Sequence, residues 1–326
     1  MEKEKKICLR NRDFNFIMYL SEYGIITNEN VKLFYDSKYY YKNRLASLAK
    51  GEFIERLYGK VVLVRKGKSY LNKIGLGYRN INRNETYKKR MERISDVSCK
   101  VQLAGWFFEP SWRCSVNTYT KRGNRFIGVM SREKRFWQEA DEDFYPRSYI
   151  VYFLHKDITP RELKYIDKEI DRNKSQFNGL IVFTEDEKYL YNPKFEKIRY
   201  KESYIIPYNT KAWEIFEIIK NEKFMNNKVR EIFGDKLISL KAKSFFEEYY
   251  IKENNAYTYI FYMPFANFYL IDYLNYLVTD TLISDAKVKV VCFEYCRKYI
   301  RKYLDDGVDV ILSLIHISEP TRPEPI

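Results

Sequence analysis

Apolar side chains at Phe16, Ile17, Leu20 and Tyr23 fall at helical spacing between Asp13 and Tyr23, and Gly24 supplies a stop, so the pattern predicts a first helix. Thr27 can cap a short second helix that carries Val31, Leu33 and Phe34 inward. Asp36-Ser37 offers another N-cap ahead of the run Lys38–Lys50, and Gly51 stands where a left-handed residue closes a helix. The third helix is therefore bounded at both ends. Within it Tyr41, Leu45 and Leu48 share one face at i, i+4, i+7, which turns Lys38, Tyr39, Lys42, Asn43 and Ala46 outward. Phe53–Leu57 and Val61–Val64 are β-rich runs joined at Tyr58-Gly59-Lys60, the pattern of a hairpin.

Helix, short helix, capped helix and hairpin, in that order, read as a winged helix-turn-helix. The outer face of the third helix suits a recognition helix: lysine neutralises phosphate, Asn pairs with an adenine edge, and Tyr bonds phosphate or lies against sugar. Lys38, Tyr39, Lys42 and Asn43 are the expected major-groove residues, and Lys60, placed near the tip of the wing, is expected to touch the backbone. The module resembles the N-terminal part of the replication-relaxation family, winged-helix proteins met on bacterial plasmids and mobile elements. The likeness rests on Asn11-Arg12-Asp13, on Tyr23-Gly24-Ile25-Ile26-Thr27, and on Arg44-Leu45-x-x-Leu48-x-x-Gly51-x-Phe53-Ile54. It covers roughly the first 80 residues well and the remainder loosely. What the resemblance implies is a role in replication, transfer or maintenance of such an element.

Beyond the hairpin, Lys66-Gly67-Lys68 leaves the wing and Ser69–Ile74 predicts a short helical turn. Met91, Ile94, Val97 or Ser98, Val101 and Ala104 then recur at helical spacing, predicting a helix from about Asn84 to Ala104. Its basic first half could track flanking phosphates, the whole could dimerise, or it could be a solvated connector. From Trp106 to Trp137 aromatic and basic residues interleave, a pattern that serves either stacking on bases or a core. An α/β alternation follows. Strands are expected at Tyr149–Leu154, Gly179–Thr184, Tyr257–Met263, Val288–Phe293 and Val308–Ile311. Helices are expected from Pro160, capped by Thr159 and Glu162, to about Asn173, and over Lys211–Lys220, Phe224–Phe233, Asn267–Val278 and Arg297–Leu304.

Charge sharpens this division. The chain of 326 residues carries a net +14, and residues 1–95 hold 22 Lys and Arg against 10 Asp and Glu, while 96–326 hold 36 against 34. Nearly all the excess lies on the winged-helix end, so its expected partner is a polyanion, double-stranded DNA. Abundant Lys, Asn, Ile and Tyr also fit an AT-rich genome, but that bias would enrich lysine throughout.

Other chemistries find little support. The five cysteines, Cys8, Cys99, Cys114, Cys292 and Cys296, form no paired knuckles, so neither zinc nor a disulfide framework is expected. No Gly-rich phosphate loop occurs, and no cofactor is expected. Apart from His316 in the tail the only histidine is His155, at the end of an apolar run; this excludes nucleases that hold a metal with clustered histidines, and a packed strand-end histidine is the simpler reading. Asp186-x-Lys188, after the strand ending Phe183-Thr184, fits the acid-x-Lys element of metal-dependent nucleases if Asp143 or Asp157 supplies an earlier carboxylate. A solvated turn accounts for it equally. There is no signal-like leader and no run approaching a membrane span, so the chain is expected to be cytoplasmic with no membrane partner.

Leu312–Arg322 resembles the translation of a transposon-end adapter used in preparing sequencing libraries, so the native sequence is expected to diverge near Ile311. The expected organisation is a winged helix over 1–78, a basic linker helix over 79–105, an α/β domain with a mixed sheet over 106–311, and a non-native tail over 312–326. The expected function is that of a DNA-binding protein of a plasmid or mobile element, with a homodimer and replication or transfer proteins as candidate partners. The alternatives are a transcriptional regulator, or a metal-dependent nuclease using Asp186 and Lys188.

Overall fold

A computed structural model describes residues 8–35, 39–81, 84–114, 125–131, 148–174, 176–177, 179–191, 200, 202–219, 222–234, 237–239, 248–253, 256–279 and 287–313. The fold is mixed α and β, and the chain divides into two compact units, residues 1–102 and 103–326.

The first unit begins with α1 (Asn11–Tyr23), whose Phe16, Ile17, Leu20 and Tyr23 are buried as their spacing requires. Gly24 ends it at φ 76°, its N–H donating to Leu20 O at 2.8 Å. A Cβ there would lie 2.4 Å from Ile81 Cδ1, so glycine serves both the left-handed turn and the close approach. Strand β1 (Ile25–Thr27) leads into α2 (Asn28–Val31), and the Thr27 hydroxyl accepts from Asn30 N at 3.4 Å, the expected cap. A 3-10 turn over Lys32–Phe34 follows, then α3 (Tyr40–Lys50).

Helix α3 starts two residues later than the pattern predicts, and the expected cap Asp36-Ser37 lies outside the described residues. Its far end departs from expectation as well. Gly51 sits at φ −82°, and the left-handed residue is Glu52 at φ 60°. Glu52 N donates to Ala49 O and Phe53 N to Leu48 O, each at 3.0 Å, the paired bonds of a Schellman closure. Phe53 and Leu48 are both buried, so apolar burial stabilises this ending despite the strained non-glycine residue.

Strands β2 (Ile54–Leu57) and β3 (Lys60–Leu63) form an antiparallel hairpin, and β1 pairs with β3 to give the order β1-β3-β2. Tyr58 and Gly59, at φ 43° and 81°, make the two-residue turn. The region expected to be a short turn is a nine-residue helix, α4 (Arg65–Lys73). Gly67 lies inside it, where a Cβ would come within 2.3 Å of Phe53 O, so close packing of α4 on the chain entering β2 depends on it.

Helix α5 (Glu85–Leu103) has nearly the predicted extent, but it is an integral wall of the first unit rather than a free linker. Tyr19 OH donates to Ser95 O at 2.7 Å, Cys99 Sγ to Tyr19 OH at 3.0 Å, and Ser98 Oγ to Tyr23 OH at 2.7 Å. Met91, Ile94, Val97 and Val101 are buried beside this network.

One buried ion pair ties these helices together. Asp13, its side chain 1% exposed, accepts from Arg44 Nε at 2.8 Å and Nη2 at 2.5 Å, from Arg10 N at 2.8 Å, and from Tyr35 OH at 3.0 Å. Burial pushes the Asp13 carboxyl up, but the hydrogen bonds from Arg44, Arg10 and Tyr35 outweigh it and hold the group below the ordinary aspartate value.

The second unit holds two five-stranded sheets where one was expected. The first contains β4 (Phe107–Pro110), β5 (Gly128–Ser131), β6 (Ser148–Leu154), β7 (Gly179–Thr184) and β8 (Glu202–Pro207), in that order. The second contains β9 (Ile238–Ser239), β10 (Glu248–Glu253), β11 (Ala256–Tyr262), β12 (Lys287–Phe293) and β13 (Val308–Ser313). In each, the first three strands are antiparallel neighbours and the last three parallel ones. Helix α6 (Pro160–Asn173) crosses from β6 to β7, as α9 (Phe268–Thr279) crosses from β11 to β12. Helices α7 (Thr210–Ile219) and α8 (Glu222–Phe233) stand between the sheets in sequence, and α10 (Glu294–Tyr303) joins β12 to β13. The unit thus repeats one strand order and one pattern of pairing, two antiparallel pairs followed by two parallel ones.

The first sheet is covered on both faces, which explains the unbroken apolar runs of β6 and β7. Ile150, Tyr152 and Leu154 pack with Leu163, Ile166 and Ile170 of α6. Tyr149 and Phe153 face an aromatic cluster with Trp106, Tyr208, Trp213 and Phe216.

Removing one side of the Asp13–Arg44 pair strands a buried charge, so Arg44→Met should destabilise the first unit by about 3–5 kcal/mol in chemical denaturation. The double change Asp13→Leu with Arg44→Met should recover most of that. Because Asp13 titrates lower in the folded chain, its contribution is full above about pH 5 and is lost as pH falls through its folded-state value. An acid series of thermal midpoints should show that loss in the native chain and lack that component in the double variant.

Candidate nucleic-acid interface

The outer face of α3 carries the sequence-predicted side chains that the structure brings together. Tyr39, just ahead of the helix, is 73% exposed, and Lys42, Asn43, Ala46 and Lys50 are all exposed on α3. They follow one another at i, i+3, i+4, i+7 and i+11, one continuous stripe. Opposite it, Leu45 and Leu48 are buried and Arg44 is locked on Asp13, so the helix cannot rotate its polar face inward without stranding that charge. Lys38 lies outside the described residues.

Lys60 directly follows the tip. The turn is made by Tyr58 and Gly59, and Lys60 opens β3, its Nζ 2.5 Å from Glu92 Oε2 on α5. That ion pair neutralises the charge assigned to backbone contact.

The hairpin offers other side chains instead. Tyr58 is 102% exposed, Leu57 is 40% exposed, and Arg56 is exposed with no ion-pair partner among the described residues. Sequence reading passed over Tyr58 as part of the turn. The available signal was an aromatic residue in a place where Asn, Asp or Gly is usual.

Not every cation of the first unit is free. Arg10 Nη1 donates to Tyr40 OH at 2.7 Å, Lys68 Nζ to Asn80 Oδ1 at 3.0 Å, and Lys88 Nζ pairs with Glu85 at 2.6 Å. Lys42 and Lys50 make no such pair among the described residues, which leaves the α3 stripe basic. The Cys99 thiol behind α1 is pushed up to about 12 by burial, so it packs rather than reacts.

The second unit gathers less. Trp106, Phe108 and Phe126 of the aromatic-basic stretch are buried core, and Trp106 Nε1 donates to Phe216 O at 2.9 Å, so these rings are not a stacking platform. Lys121, Arg122, Arg132, Lys134, Arg135, Phe136 and Trp137 lie outside the described residues. Cys292 and Cys296 are buried, and burial pushes the Cys292 thiol up to about 12.

Asp186 is paired with Lys188. It follows the end of β7, where Oδ1 accepts from Lys188 N at 3.0 Å and Oδ2 lies 2.6 Å from Lys188 Nζ. The hydrogen bonds from Lys188 hold the carboxyl below its ordinary range. Asp143 lies outside the described residues, and among those described no group of three or more His, Cys, Asp or Glu is placed to hold a metal ion. His155 is half-buried at the end of β6. Among the described residues no helix is long and apolar enough to cross a membrane.

Comparison of the chain with protein-family models, with curated proteins and with solved structures returns no match.

Because Asp186 and Lys188 satisfy each other in a turn, added magnesium or manganese should leave the thermal midpoint unchanged. A cation-dependent rise that disappears in Asp186→Asn would show instead that the pair opens around a metal.

Proposed function

We propose that the first unit is a winged helix-turn-helix that binds duplex DNA, with α3 as the recognition helix and the β2–β3 hairpin as the wing. The observation that carries this reading is the exposed Tyr39, Lys42, Asn43 and Lys50 stripe on a helix locked from behind by a buried ion pair. A strand between the first two helices, paired to the far strand of the hairpin that follows the third, supports the wing reading of that hairpin. The excess positive charge of residues 1–95 supplies the attraction that brings such a face to phosphate.

The motifs shared with the replication-relaxation family support placing the protein in replication, transfer or maintenance of a plasmid or mobile element. The second unit, with its charges nearly balanced, then serves oligomerisation or contact with partner proteins.

Binding of the full chain to labelled duplex DNA across a salt series tests the proposal. Affinity should fall steeply with salt, and Lys42→Ala should weaken binding on every sequence while reducing the log–log salt slope by about 1. Asn43→Ala should cost about 1–3 kcal/mol on the preferred sequence and little on competitor DNA. Glu92→Gln, which releases Lys60, should steepen the salt slope. Absence of binding at low salt would refute the proposal.

A further inference from the structure

The hairpin tip breaks two rules at once. Tyr58 occupies the first central position of a turn at φ 43°, a left-handed conformation that bulky side chains rarely adopt. Its ring is also fully exposed at 102%, beside Leu57 at 40%. Asn at this position would relieve the backbone strain and remove apolar surface from water, so the fold itself gains nothing from tyrosine. Residues that cost local stability without an internal contact point to an external one.

The mount beneath that ring is stiff. Leu57 and Lys60 close the hairpin as a paired rung, Gly59 O accepts from Asn28 N at 2.7 Å, and Lys60 is fastened to Glu92. A Cβ at Gly59 would meet nothing within 4 Å, so the tip stands in open space. Arg56, exposed two residues before Tyr58, supplies a cation beside it.

We infer that Tyr58 is a base-contacting wedge: its ring, backed by Leu57, enters the duplex at an opened step and stacks on a base while Arg56 holds the adjacent phosphate. This rests on the proposed DNA-binding reading and names its substrate more narrowly, as duplex DNA that is unpaired or readily unstacked at one step. Apolar and aromatic side chains inserted this way are favoured where unstacking costs least. A flexible surface tyrosine bonding phosphate through its hydroxyl would need neither the strained turn nor the exposed leucine.

The full chain is titrated onto an A·T-rich duplex and onto the same duplex carrying one unpaired thymine, with permanganate oxidation reporting unstacked thymines. The native chain should prefer the interrupted duplex and expose a thymine in the paired one. Tyr58→Asn should raise the thermal midpoint yet bind the interrupted duplex at least about five-fold more weakly, the lower end of what one stacked base contributes. It should also lose both the preference and the permanganate signal. Tyr58→Phe should retain them, because the ring and not the hydroxyl makes the contact. Equal binding to the two duplexes that still depends on Lys42 would overturn the wedge and leave the DNA-binding reading standing. A Tyr58→Phe loss as large as that of Tyr58→Asn would also overturn it, in favour of a phosphate contact. Failure of the native chain to bind either duplex would remove both.

Discussion

The Asp13 carboxylate is the point on which the first unit turns. It takes hydrogen bonds from the backbone ahead of α1, from the tyrosine between the second and third helices, and from the arginine at the centre of α3. The start of α1, the segment ahead of α3 and α3 itself are thereby fixed around one buried charge. Such a pair adds little net stability compared with an apolar core of the same shape. What it does add is register: Arg44 can reach Asp13 from only one rotation of α3. That rotation sets Lys42, Asn43 and Lys50 outward. The proposed interface is in this sense a consequence of an interaction on the opposite side of the helix.

The second unit is organised on a different principle, repetition. Two sheets share one strand order and one sequence of antiparallel and parallel pairings, and they interlock within the unit. Asn267, at the start of α9, accepts from Ser203 N on β8, and Phe268 packs in the core of the first sheet. Asn209, after β8, bonds Tyr295 OH of α10 at 2.5 Å, and Tyr299 OH bonds Glu187 at 3.2 Å. Polar groups at the carboxyl ends of the parallel strands, where α/β sheets commonly hold ligands, are here spent on joining one repeat to the other.

Periodicity made much of this legible. α1, α5, α6 and strands β6, β7, β11 and β12 lie within a residue or two of where spacing alone puts them, because each has a strong apolar face or a run buried on both sides. The capping box of Thr159 and Glu162 forms as its sequence implies. What escaped were elements with little pattern. β4, β5, β8 and β10 are short or carry charged and Pro residues, and α4 is so basic that its one deeply buried leucine, Leu71, gave no stripe. The doubling of the sheet was invisible because pairing between strands is a long-range property. At the candidate interface the exposure of the α3 face was readable, whereas the pairing of Lys60 with Glu92 depended on a partner 32 residues away.

That ion pair bears on how the charge of the first unit should be counted. A net of +12 over residues 1–95 describes attraction at a distance, where each charge adds to the field whatever its neighbour. Contact at the surface is a different quantity, because a lysine already held by a carboxylate releases no counterion until that pair breaks. Lys60, Lys88 and Arg44 are so held. Lys42, Lys50 and Arg56 are not among the paired cations described, and they sit on the α3 stripe and the hairpin. On the proposed DNA-binding reading, the cations available for close contact are those of the α3 stripe and the hairpin together with the exposed Arg65, Lys66 and Lys73 of α4, which have no ion-pair partner among the described residues.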